Sequence, residues 1–215
     1  MGINRRAART ALLALGLLGF GRAEARAALG EVMTTPVESK SAALKESMRV
    51  VWAEHVIWTR AYVVAAVAGG PDAHDAADRL LRNQADIAEV FAPYYGKETA
   101  AKLAALLRQH ILVAADVVDA AKIGDDARFR EADKRWHDNA EDIAGFFAGV
   151  NPSWSRKEML DMFNDHLALT TKEATSRLQK KWPDDIAAFD EIFRQMMLMA
   201  DELSNGLIKQ FPDKF

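Results

Sequence analysis

The chain has 215 residues, half of them hydrophobic and about a quarter charged, with no cysteine. That length suits one sizeable domain or two small ones, and the missing thiols exclude disulfides, thiolate metal sites, iron–sulfur ligation and cysteine nucleophiles. Residues 28–215 carry 23 Lys and Arg against 30 Asp and Glu, a net charge of −7. This excludes the basic balance of a nucleic-acid binder, and no 18-residue apolar run in the same stretch marks a membrane span.

Residues 1–27 read as an export signal. Arg5, Arg6 and Arg9 make a positive start, Ala11 to Gly21 a short apolar stretch interrupted by glycine, and Ala25-Arg26-Ala27 a small-x-small cleavage site. The Arg5-Arg6 pair, with Arg22 and Arg26, resembles a twin-arginine signal, although Ala7-Ala8 stands where Phe-Leu is usual. A general secretory signal or an uncleaved anchor is the alternative. The expected location is outside the cytoplasm, in the periplasm, with residues 28–215 as a single helical-bundle domain.

The first helix after this segment carries Leu44, Met48, Val51, Trp52, His55, Thr59 and Tyr62 at helical spacing. Gly69-Gly70-Pro71-Asp72 ends it and starts a second, with Ala76, Leu80, Asn83, Ile87, Val90 and Phe91, which stops at Pro93 or Gly96. A third helix carries Leu103, Leu106, Leu107, His110, Val113, Ala114 and Val117 up to a turn at Gly124-Asp125-Asp126. The fourth carries Phe129, Ala132, Trp136, Asn139, Ile143 and Phe146. Asn151 to Ser155 forms the next boundary, with Ser155 and Glu158 in a capping-box pattern. The fifth helix carries Met159, Met162, Phe163, His166 and Thr170, and a turn is expected at Trp182-Pro183-Asp184. The sixth carries Ile186, Phe189, Phe193, Met197 and Ala200 towards a cap at Asn205-Gly206, and the Phe211-Pro212 tail is expected to pack back on the bundle. No segment alternates strongly enough for a strand.

These helices form one αα-hairpin written three times, over about 38–95, 97–150 and 155–205. His55, His110 and His166 recur at 55 or 56 residues, and each precedes an amide (Asn83, Asn139, Gln195) by 28 or 29 residues. Large apolar residues stand three before each His (Trp52, Leu107, Phe163) and seven before (Met48, Leu103, Met159). Three before each amide stand Leu80, Trp136 and Ile192, and seven before stand Ala76, Ala132 and Ala188. The fold class is therefore all-α: an antiparallel six-helix bundle built from three αα-hairpin repeats. A four-helix bundle with two peripheral helices is the alternative.

Histidines and amides on inward stripes need partners, because an unpaired buried polar group costs about 1–3 kcal/mol. One reading gathers His55, His110 and His166 near a pseudo-threefold axis to bind a transition metal such as Zn, Cu or Fe. Asn83, Asn139 and Gln195 then support the rings from outside, and Asp86 and Asp142, three residues after the Asn, complete a mixed N/O shell. The third repeat has Leu198 at that position. The other reading is a non-catalytic module with a structural His–amide network, whose surface or core binds a partner or small organic ligand. Metal-dependent redox chemistry is a third. Paired Glu-x-x-His motifs, a G-x-S-x-G elbow, a Walker loop and a dinucleotide fingerprint are all missing. Met159 and Met162 beside His166, with Met196, Met197 and Met199, offer thioethers to Cu(I), but methionine at helical spacing is normally core filling. His74 and His137 lie off the stripes. Trp58 with Arg60, and Lys134-Arg135, read as solvated or helix-packing surface.

Trp52 to Arg60 (WAEHVIWTR), Leu81-Arg82-Asn83, Asn151-Pro152-Ser153-Trp154, Asp165-His166-Leu167 and Gln210-Phe211-Pro212 resemble an uncharacterised family of small all-helical bacterial proteins with repeated His/Asn positions. The likeness covers most of residues 28–215. It implies an all-helical fold and supplies no activity.

Overall fold

The computed structural model describes residues 39–215, and the expected export signal lies outside the described residues. Six helices follow one another: α1 (Lys40–Ala68), α2 (Ala73–Tyr95), α3 (Lys97–Ile123), α4 (Asp126–Val150), α5 (Arg156–Leu178) and α6 (Trp182–Gln210), with a final 3₁₀ turn over Pro212–Lys214. No strand occurs among the described residues.

Three of the six helix starts are capped by a side chain, those of α1, α4 and α5, whereas Asp72 makes no such bond at the start of α2. Ser39 accepts from Ala42 N–H at 3.2 Å, Asp125 from Arg128 N–H at 3.0 Å and Ser155 from Glu158 N–H at 3.1 Å. The hairpin turns share one device. A residue in the left-handed region follows each inner helix: Gly69 (φ 69°), Gly124 (φ 69°) and Lys180 (φ 58°). The next N–H then reaches back to the carbonyls of Ala65, Ala120 and Ser176 at 2.8, 3.1 and 2.9 Å. These turns repeat at the histidine period. The third is Gln179–Lys181 rather than the expected Trp182-Pro183-Asp184, because Pro183 lies in the first turn of α6, where its missing N–H is harmless.

Each helix packs on the next and α6 closes on α1, giving a ring of six. Within it α1, α3 and α5 also touch one another, so the first helix of every hairpin is the inner one. Equivalent residues therefore stack in layers. Met48, Leu103 and Met159 form one, Trp52, Leu107 and Phe163 the next, then the three histidines, and beyond them Val63, Val118 and Ala174; all are buried. From the outer helices, Ala76, Ala132 and Ala188 and then Leu80, Trp136 and Ile192 pack behind these layers, also buried. By length and composition α1 is apolar enough to cross a membrane; in the fold its buried residues pack in the core of the bundle.

Several expected positions differ. Ile186 is exposed, and the inner face of α6 is Ala188, Ile192, Met196 and Met199, the register set by the repeat. Phe147, not Phe146, is the fully buried ring of α4. Asn205-Gly206 does not end α6, which runs on to Gln210. Gly206 is small for another reason: a Cβ there would meet the Trp154 indole nitrogen at 2.0 Å. Met159, Met196 and Met199 are buried core residues. The tail folds back as expected, with Phe211 and Phe215 against Tyr94 at 5.5 and 5.8 Å between ring centres.

Of the two surfaces expected for Arg60, solvated or helix-packing, it takes the second and is half-buried. It donates to Glu173 at 2.6 Å and makes two bonds to Asp185, which also accepts from Arg177 at 3.1 Å. This network ties α1 to α5 and α6. Both carboxylates are almost fully buried. Burial pushes the Glu173 carboxyl up. Burial also opposes ionisation of Asp185, but bonds from Arg60 and Arg177 outweigh it and hold that carboxyl low.

Candidate functional site

The three histidines, each on an inner helix, meet in the core. His55, His110 and His166 are 4%, 4% and 3% exposed. The His166 ring centre lies 5.7 Å from that of His55 and 6.3 Å from that of His110. Burial is the main reason each resists protonation, pulling His55 down to about 3 and His110 to about 4, with His110 adding repulsion on His55. His166 falls well below the ordinary range, again by burial and then by the charge of its two neighbours. The layer is neutral at physiological pH, the form that ligates metals.

The amides repeat a single backbone contact. Asn83, Asn139 and Gln195 donate through their side-chain N–H to the carbonyls of Val51, Leu106 and Met162 at 2.9, 3.2 and 2.8 Å. Each acceptor stands four residues before the histidine of its own hairpin, so every amide is pinned one turn below its ring. This contact uses the amide nitrogen and leaves the amide oxygen to accept from another group.

Only the second hairpin uses that oxygen as the repeat suggests. Trp136 Nε1 donates to His110 Nε2 at 3.1 Å. An indole N–H only donates, so Nε2 is the acceptor and the proton resides on Nδ1. That Nδ1–H donates to Asn139 Oδ1 at 2.8 Å. Both nitrogens of His110 are occupied. In the first hairpin Gln84 intervenes: its Nε2 donates to Leu80 O at 2.8 Å, and lies 3.3 Å from Asn83 Oδ1 and 3.4 Å from His55 Nδ1. Ala140 and Met196 occupy the equivalent position in the other hairpins. In the third, His166 Nδ1 and Gln195 Oε1 are both buried and have no partner among the described residues. Gln195 is one methylene longer than asparagine, and with its nitrogen pinned to Met162 its oxygen makes no bond to the ring. Trp52 Nε1, Thr59 Oγ1 and Gln84 Oε1 are likewise buried without partners among the described residues.

The remaining expectations divide. Asn83 and Asn139 are buried and Gln195 is half-buried, all on the histidine side. Asp86 and Asp142 are exposed and belong to no inner shell; Asp86 instead lies 3.3 Å from Arg79. Three residues fall about 60° short of a full helical turn, and the inner face one turn on is held instead by Ile87 and Ile143, both buried. His74 and His137 are exposed, as expected. Gln84 escaped the sequence reading, although it follows Asn83 directly and breaks an otherwise apolar position of the repeat.

As the side chains stand, no group of three or more His, Asp or Glu among the described residues is disposed to hold a metal ion. Metal–nitrogen bonds of about 2.0–2.1 Å put two tetrahedrally bound imidazole centres about 5.2 Å apart, and opposed ones about 6.3 Å apart. The His55–His166 pair, at 5.7 Å, is within a small adjustment of the first geometry. The His110–His166 pair, at 6.3 Å, fits only the opposed one. Fold and site thus define a threefold helical-hairpin bundle with a buried, neutral histidine layer. Comparisons with protein-family models, curated proteins and solved structures find no match to this chain.

Proposed function

We propose that this chain is a non-catalytic binding protein that takes a transition-metal ion beside His166 and His55, with His110 as fixed framework. The observation behind it is the pair of buried, unpartnered atoms His166 Nδ1 and Gln195 Oε1, at the place where the second hairpin closes a hydrogen bond. Two neutral imidazoles and an amide oxygen form an N/O donor set suited to Zn, Cu or Fe. With residues 1–27 acting as an export signal, the binding takes place in the periplasm, for storage or sensing.

The test is elemental analysis of the chain purified without a His tag, with melting curves in added Zn²⁺, Cu²⁺ and Fe²⁺. The expected result is bound metal, or a higher Tm with one of these ions, lost in a folded His166→Ala variant. Metal-free protein that none of the ions stabilises rejects the reading. A second reading, a purely structural His–amide network in a module that binds a partner or organic ligand, is favoured by the two occupied nitrogens of His110. It predicts no response to any of the three metals.

A further inference from the structure

A cavity of about 30 Å³ lies among the three inner helices, on the turn side of the histidine layer. Its origin is visible in the repeat. One turn beyond the histidines stand Thr59, Ala114 and Thr170, and two turns beyond stand Val63, Val118 and Ala174. Ala114 and Ala174 are the short members of these two sets, and both line the cavity. Each lacks two heavy atoms that its counterparts carry, and a core that does not close fully behind small residues keeps a void. The wall is mainly aliphatic, with Val63, Leu80, Ile111, Val117 and Val118 all buried. Its polar groups are engaged or turned away. Trp136 Nε1 donates to His110 Nε2 at 3.1 Å, Thr170 Oγ1 donates to His166 O at 2.8 Å, and no polar atom presents surface to the space. Tyr62, Ala114 and Thr171 are half-buried, and through them the wall reaches solvent.

From these features we infer that the cavity takes up a small apolar molecule of about two or three heavy atoms, the class of the dissolved diatomic gases. Size alone would admit water, since about 10–15 Å³ seats one molecule. Chemistry excludes it: a buried water typically makes about three hydrogen bonds, and this surface offers no polar atom. Size also sets the upper limit. An apolar cavity of about 150 Å³ holds benzene, and one near a fifth of that leaves room only for a guest of a few atoms. Such a guest meets carbon on every side and gains the dispersion contacts that an empty lining forgoes. The inference goes beyond the metal reading and does not need it.

The test is methyl NMR of the full chain, stripped of metal by chelator, under rising xenon pressure. Xenon is an apolar probe with no charge and no hydrogen bond to offer. Saturable shifts are expected at the methyls of Val63, Leu80, Ile111, Val117 and Val118, while those of Met48 and Leu103, on the other side of the histidines, stay unmoved. Dioxygen, the paramagnetic member of the class, is expected to relax the first set faster than the second. Benzene is expected to give no saturable shift. Ala114→Val and Ala174→Val each supply two missing atoms, and are expected to lose the xenon response while keeping Tm at or above the parent's, because the new methyls occupy existing space. The inference is overturned if xenon moves neither set saturably or both alike, if dioxygen relaxes both alike, or if benzene binds the parent. It is also overturned if both variants keep the xenon response, or if neither folds, since there is then no room to fill. Cross-relaxation from water to the first set overturns it too, because the space is then hydrated. Because metal is absent throughout, failure here leaves the histidine reading standing, and failure there leaves this one.

Discussion

The second and third hairpins carry the same histidine, the same inner helix and the same amide-to-backbone contact, yet one site is closed and the other open. His110 has Trp136 on one nitrogen and Asn139 on the other. His166 has Ile192 where Trp136 would stand, and Gln195 where Asn139 would. One methylene and one indole separate a finished hydrogen-bond chain from a pair of stranded atoms. A repeat can preserve the position of a polar group while changing whether its bonding is complete, and the incomplete copy is where a guest can gain most.

Acid gives the largest expected effect. All three rings have folded-state pKa values below the ordinary 6.5. The unfolded chain therefore takes up protons that the folded chain refuses. Stability is full above about pH 6.5 and falls as the pH drops towards 3–4, by up to about 1.4 kcal/mol per pH unit for each histidine. Glu173, whose carboxyl is raised, works the other way: its contribution is present at low pH and is lost as the pH rises through its folded value. Urea unfolding at pH 7 and pH 5 measures the balance, and His166→Leu is expected to remove about a third of the histidine slope.

The next effect separates the two hairpins directly. His110→Leu strands the Trp136 N–H and the Asn139 oxygen, each costing about 1–3 kcal/mol, so a loss of roughly 3–5 kcal/mol is expected in metal-free protein. His166→Leu breaks no side-chain hydrogen bond and fills similar space, so its change is expected to stay within about 1.5 kcal/mol. Equal losses in denaturant melts would erase the distinction between a closed site and an open one.

Gln195→Asn is the sharper probe. The shorter amide copies the second hairpin and lets its oxygen accept from His166 Nδ1–H. A gain of about 1 kcal/mol is expected, with loss of any metal-induced rise in Tm. A variant that is more stable and still responds fully to metal places the ion elsewhere. The smallest effect belongs to the turns, where the third hairpin again departs: Lys180 holds a left-handed conformation that Gly69 and Gly124 adopt freely. Lys180→Gly is expected to raise stability by up to about 1 kcal/mol in the same melts.

Much of this was legible from spacing. A period of 55 to 56 residues predicted the inner histidines, the outer amides and the Ala and large apolar positions behind them, because helical periodicity decides which face a residue occupies. Face alone does not say what lies across the interface. Asp86 and Asp142 looked close to the site along the chain, yet the helix turns them into solvent. Arg60 read as solvated or helix-packing surface, and only the fold shows that it packs, half-buried, against Glu173 and Asp185 from two other helices. Gly206 read as a helix end and proved to be a seat for Trp154.

By itself, then, the order of amino acids determined three helical hairpins, their inward stripes and the equivalence of His55, His110 and His166, since those follow from local periodicity and turn chemistry. Tertiary packing alone decided that His110 is saturated, that Gln84 stands between Asn83 and His55, and that His166 and Gln195 miss one another. Hydrogen bonding depends on tenths of an ångström between side chains from different helices, and no regularity along one chain specifies that distance.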